Sequence, residues 1–182
     1  ILYHSALADV AARIQFGIDG GLDAINISLG RTVAMSLAED EDIARLDQLD
    51  VPIVAAAGNY GPDLMYPAAY SRAANNVSSA GAAQYDPTDK EFGVKVWAYS
   101  NPSRDVYLSC IAPGVDIFST MPQSNRGSKK FVTGQAWMTG TSMAAPHVTA
   151  MLALHGTYQP WLYSDSDKRK WGEGLAIFRS NP

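Results

Sequence analysis

The chain has 182 residues, 47% of them hydrophobic, and a formal net charge of −4. Its length and apolar content suffice for one sizeable core, and its basic clusters, Lys129-Lys130 and Lys168-Arg169-Lys170, are too short and isolated to suggest a nucleic-acid partner. The single cysteine, Cys110, leaves no intrachain disulfide to form, and no apolar run reaches the ~18 residues of a membrane-spanning helix.

The chain opens Ile1-Leu2-Tyr3-His4, without an initiator methionine or a leader, as expected of a piece of a longer protein or of a mature N-terminus. Leu7, Val10, Ala11, Ile14 and Ile18 recur at helical spacing, which predicts a helix over 5–19 ended by Gly20-Gly21. "LDAINISLG" (22–30) reads as a short buried strand, and 34–49 as a second helix with its acidic run, Glu39 to Asp42, near the start. "VPIVAAAGN" (51–59) is a second buried strand with a glycine stop, and "NVSSAGAA" (76–83) a weaker third. Strand-like segments follow at 94–100, 105–114, 115–120 and 129–140, then a helix from Ser142 to about His155. The tail, with Ser164-Asp165-Ser166-Asp167 and Gly172-Glu173-Gly174, reads as loop. Helices alternating with buried strands predict an α/β protein with a mainly parallel sheet. Sites in such sheets lie beyond the carboxyl ends of the strands, where Ser28-Leu29-Gly30 and Ala57-Gly58-Asn59 fall.

"TGTSMAAPHVTA" (139–150) contains a serine at a helix start. Read alone, Ser142 is an N-cap. Gly140, however, permits a sharp entry and a close backbone approach, and the alanines permit close packing. Pro146 has no N–H to give the Ser142 carbonyl, so the first turn is irregular. The helix N-terminus also offers unpaired N–H groups suited to a developing oxyanion.

"GTSMAAPHV" resembles the nucleophile motif of the subtilisin-like serine peptidases, and "DAINISLG", "VAAAGN", "YPAAY" (66–70) and "IAPGVDIFST" (111–120) are similar to further family segments in the same order. The resemblance implies a three-layer, doubly wound α/β fold, here N-terminally incomplete, with residues 1–158 matching the family's catalytic domain and 159–182 a divergent tail. It implies that Ser142 is the nucleophile of a serine endopeptidase and that Asn59 is the oxyanion-hole donor, with a cap after Gly58 the alternative reading of Asn59. It further implies that Ser28, Leu29 and Gly30 accept the backbone of a protein or peptide substrate. Ala56, Ala57 and Gly58 would wall the pocket for the side chain preceding the cleaved bond; Met65 lies near its base or fills the core. A neighbouring family with the same Gly-Thr-Ser nucleophile uses aspartate in the oxyanion hole, and Asn59 sides with the subtilisin type.

The serine's activator is harder to find. His147 lies five residues after Ser142, about 140° around the same helix. His155 stands ~20 Å along that helix, and His4 lacks a Gly-Thr-His setting. No Asp-Ser-Gly or Asp-Thr-Gly follows an apolar strand. The catalytic Asp and His are therefore expected upstream of Ile1, leaving this chain inactive alone. The alternative is a non-catalytic pseudopeptidase that holds peptides. The resemblance requires no cofactor and allows a structural calcium near the carbonyls of Ala68–Ala73, but Gln84 stands where its acid is expected, with Asp86 nearby, so no metal ligand is assigned. It also implies secretion. Cys110, Trp137 and Met138 are expected in the core.

Overall fold

In a computed structural model, the structure describes residues 19–32, 41, 44–45, 47–49, 51–88, 90, 93–102, 108–121, 134–155, 159–161 and 175–177. The first expected helix lies outside these residues except at 19–20, which are helical. Of the second, residues 41, 44, 45, 47 and 48 are helical.

The apolar runs form strands. β1 (Ile25–Ile27) pairs in parallel with β2 (Ile53–Ala56), Ile25 opposite Ile53, and β2 pairs in parallel with β3 (Val77–Tyr85), Ile53 opposite Val77. β4 (Val94–Val96) returns antiparallel to the end of β3. β5 (Cys110–Pro113) lies parallel to β3 on its other side, Ala80 opposite Cys110. β6 (Ile117–Thr120) and β7 (Gln135–Met138) form a separate antiparallel pair. After the helix α1 (Thr141–His155), β8 (Gln159–Trp161) and β9 (Leu175–Ile177) rejoin the main sheet, whose order is β1-β2-β3-β5-β9-β8. The tail thus contributes two strands around residues 162–174, which lie outside the described residues. The architecture is a mostly parallel α/β sheet, as the alternation of helices and buried strands predicts.

Both sheet faces are covered, as expected of parallel strands. On one face, Val54, Ala56, Ala80, Ala82, Cys110 and Ala112 pack against Ala144, Ala145, Val148 and Leu152 of α1. The alanines on both surfaces bring helix and sheet close together. On the other face, Ile53, Ala55 and Val77 meet Ala68 of a 3-10 turn (Ala68–Arg72), while Ala83, Leu108 and Ile111 meet Ala69, Leu64 and Ala57.

The segment that reads as the weakest of the early strands, 76–83, is the nine-residue centre of the sheet. Its serines are the reason. Ser79 is fully buried, its N–H donates to Ser109 Oγ and the Ser109 N–H donates to Ser79 Oγ, each at 2.9 Å. Side-chain oxygens thus extend the β3–β5 ladder by one rung, so polar residues are stable inside the sheet. Cys110 is buried as expected, but Trp137 is 67% exposed and Met138 37% exposed. These two belong to the β6–β7 pair outside the main sheet, where Trp137 lies against the exposed Phe118 with ring centroids 5.0 Å apart.

Candidate active site

α1 begins at the end of a tight approach. The Gly140 N–H donates to Gly114 O at 2.8 Å, tying the turn to the exit from β5. Gly140 has φ +154, and a Cβ there would lie 3.1 Å from Asn59 Nδ2. Conformation and space therefore both call for glycine before the serine.

Ser142 is half-buried and coupled to the end of β1. Its Oγ–H donates to the Ser28 carbonyl at 3.0 Å, and the Ser28 Oγ–H donates to the Ser142 carbonyl at 2.8 Å. The second bond has a cause in the sequence. The helix ladder would give the Ser142 carbonyl the N–H of residue 146, and that residue is Pro146. Ser28 supplies the missing donor from 114 residues away.

Asn59 stands beyond β2 and is oriented by Thr141. Its Oδ1 accepts the Thr141 N–H and the Thr141 Oγ–H, both at 3.0 Å, and Thr141 Oγ accepts the Gly58 N–H at 3.1 Å. A backbone N–H can only donate, so the Asn59 atom facing it must be the oxygen. The amide NH₂ is left as its donor. In the first turn of α1, Met143 N–H bonds Gly140 O at 3.0 Å and Thr141 N–H bonds Asn59. The Ser142 N–H has no acceptor among the described residues.

A cavity of about 330 Å³ opens at this point, lined by Ser142, Asn59, Thr141, Leu29, Gly30, Ala56, Gly58, Tyr60 and Met65. Seven of the residues singled out in the sequence thus share one cavity. Ser28 does not line it and acts on the Ser142 backbone. Ala57 is not in the wall either: fully buried, it packs with Leu64 and Ile111 across the sheet from Ala56. Thr141 and Tyr60 were not singled out. A hydroxyl beside the serine was a signal for Thr141; nothing local marked Tyr60.

No base meets the serine among the described residues. The His147 ring is exposed and its Nδ1, 2.8 Å from the Met143 carbonyl, bears the proton that this acceptor requires. His155 ends α1, thirteen residues from Ser142, and His4 lies outside the described residues. Among the described residues no group of three or more His, Cys, Asp or Glu could hold a metal. The segment weighed for calcium is internally hydrogen-bonded. The Tyr70 carbonyl accepts the N–H groups of Ala73 and Ala74, the Pro67 carbonyl accepts that of Tyr70, and Asp86 is engaged by Thr88 and Lys95.

A sequence model of the subtilase family matches residues 4–172. The chain belongs to the subtilase family. This subtilase chain is 36% identical over 152 residues to the thermophilic serine proteinase of Bacillus sp. (strain AK1), covering 81% of the chain and 31% of that protein. It is 32% identical over 166 residues to the major intracellular serine protease of Bacillus subtilis (strain 168), covering 88% and 44%. Among solved structures it resembles the prenylagaramide maturation protease PagA, with 25% identity, a TM-score of 0.63, and coverage of 82% of this chain and 49% of that one. The chain therefore spans less than half the length of these relatives. That relative from Bacillus subtilis and another from Paenibacillus polymyxa are named as intracellular, so family membership does not decide the compartment. No helix among the described residues is long and apolar enough to cross a membrane.

Proposed function

We propose that the protein containing this chain is a serine endopeptidase in which Ser142 is the nucleophile and Asn59 an oxyanion donor. Ser142 Oγ attacks the peptide carbonyl and passes its proton to a histidine that, with its aspartate, belongs to the remainder of the protein. The carbonyl oxygen takes up negative charge between the Asn59 NH₂ and the Ser142 N–H. The amine then leaves with a proton from the histidine, and water hydrolyses the acyl-enzyme. Leu29 and Gly30 accept an extended peptide at the end of β1, with Ser28 holding the nucleophile's backbone. Ala56, Gly58 and Met65 border the space for the side chain preceding the cleaved bond. No cofactor takes part.

The observation that carries this reading is the Thr141–Asn59 pairing. It spends the amide oxygen of Asn59 and leaves its NH₂ as the donor, and Asn59 and Ser142 line the same cavity. In the full-length protein, Asn59→Ala should lower kcat about 10²–10³-fold with little change in KM, a size borrowed from removal of the equivalent donor in subtilisin, itself a member of this family. A rise in KM at unchanged kcat would instead make Asn59 a binding or structural residue.

A second reading, a pseudopeptidase that holds peptides without cleaving them, is favoured by the Ser142 hydroxyl's donation to the Ser28 carbonyl rather than to a base. A fluorophosphonate probe separates the two. The full-length enzyme labels at Ser142, whereas the pseudopeptidase, like residues 1–182 alone, labels no more than its Ser142→Ala control. Secretion belongs to the same proposal, and recovery of the activity inside the cells would remove it.

A further inference from the structure

The loop that presents Asn59 is gripped from one side by a segment forty residues on. Gly58 and Tyr60 on either side of Asn59 have positive φ, +104 and +62, so the chain is sharply turned here. The Tyr60 N–H donates to Tyr99 O at 2.8 Å, the Asn101 N–H donates to Gly58 O at 2.9 Å, and Asn59 bridges Ser100 between them. The Asn101 side chain extends this grip. It is 1% exposed, its Oδ1 accepts the Gly61 N–H at 2.5 Å, and its Nδ2 donates to Asp63 O at 2.8 Å. One residue thus holds the loop at positions 58, 61 and 63. Its fit is tight, because a Cβ on Gly58 would fall 2.5 Å from Asn101 Nδ2.

A buried primary amide is stable only when both of its ends are paired, and pairing both ends across a loop fixes the loop's place. Transition-state donors need such fixing, since an offset of a few tenths of an ångström weakens the bond they make. Thr141 orients the Asn59 amide from the α1 side, but it cannot hold the loop on the far side of Tyr60. We propose that Asn101 is a positioning residue for Asn59: through the backbone of residues 58–63 it sets where the amide NH₂ meets the developing oxyanion. The inference rests on the reading of Asn59 as an oxyanion donor.

The test is a double-mutant cycle in the full-length protein, read as kcat and KM on one peptide substrate. Asn101→Ala should lower kcat about ten- to a hundredfold, the scale of a displacement near 1 Å, with KM within about twofold. In an Asn59→Ala background the same change should lower kcat no further. An equal loss in both backgrounds would overturn the proposal, because Asn101 would then act on the fold at large. An unchanged kcat for Asn101→Ala would overturn it too. Should that variant fail to fold, Asn101→Asp keeps the acceptor for Gly61 and loses the donor to Asp63; it should show a smaller loss with the same dependence on Asn59, and additivity would again refute the idea. If Asn59→Ala alone leaves kcat unchanged, the oxyanion reading itself falls and the inference goes with it. The two failures are therefore distinct.

Discussion

The Ser28 hydroxyl and Pro146 should be energetically coupled although 118 positions separate them. Ser28 Oγ gives the Ser142 carbonyl the donor that Pro146 withholds. Removing the hydroxyl with Ser28→Ala leaves that carbonyl without a partner at the base of a packed helix. An orphaned buried acceptor costs ~1–3 kcal/mol, and here the lower half of the range applies because Ser28 and Ser142 are half-buried. The bond from Asn26 Nδ2 to Ser28 Oγ is also lost, but it is exposed and adds little. Pro146→Ala restores an N–H at position 146, one turn from the Ser142 carbonyl, which then regains a helical partner. In that background Ser28→Ala should cost less than ~0.5 kcal/mol, giving a coupling near ~1 kcal/mol. Denaturant unfolding of the four full-length proteins measures it, provided that the slope with denaturant stays constant. If Ser28→Ala costs the same with and without the proline, the hydroxyl does not substitute for the missing helix bond and the reasoning fails.

Met65 lines the cavity and presses on its glycines, with its Cβ 3.0 Å from a Cβ built on Gly30 and its Cγ 2.5 Å from one on Gly58. Met65→Ala should therefore shift kcat/KM toward peptides with a larger apolar residue before the cleaved bond, and an unchanged ratio across a matched peptide series would make Met65 core filling alone. The Thr88 hydroxyl and N–H bond Asp86 Oδ1 at 2.6 and 2.9 Å, and Lys95 pairs with Oδ2 at 3.1 Å, so its carboxyl is lowered to about 2. A lowered folded-state pKa stabilises above the ordinary carboxylate value and loses that effect as pH falls toward 2. Asp86→Asn should accordingly melt below the parent at neutral pH and converge with it as pH drops from about 4 to about 2, whereas a constant gap would show that the carboxylate's charge is irrelevant.

The parts of the fold legible in the sequence are those built from uninterrupted local patterns. "INI" with its flanking apolar residues and "IVAA" are short segments followed by glycine, and both form parallel strands with the candidate site at their carboxyl ends. The sequence is less informative where one residue's fate depends on a distant partner or on alternation. The sequence puts Ala56 and Ala57 side by side in the expected pocket wall, yet successive residues leaving a strand point to opposite faces, and Ala56 lines the cavity while Ala57 packs with Leu64 and Ile111. The serines of β3 read as a weak strand because the partner of Ser79 is Ser109, thirty residues on. Trp137 looked like core because its composition gives no sign that its hairpin stands apart from the main sheet.

The candidate site shows the same division. The short motifs named Ser142 and Asn59, since each lies in a locally recognisable turn. Their relation did not follow from those motifs. It depends on Thr141 meeting Asn59 across 82 residues and on Asn101 meeting Gly61 across 40. Local sequence records which donors are present, whereas their direction is set by bonds between segments that only the fold brings together. A variant that keeps both motifs intact but breaks the Asn101–Gly61 bond should therefore retain the chemistry's named residues and lose much of its rate.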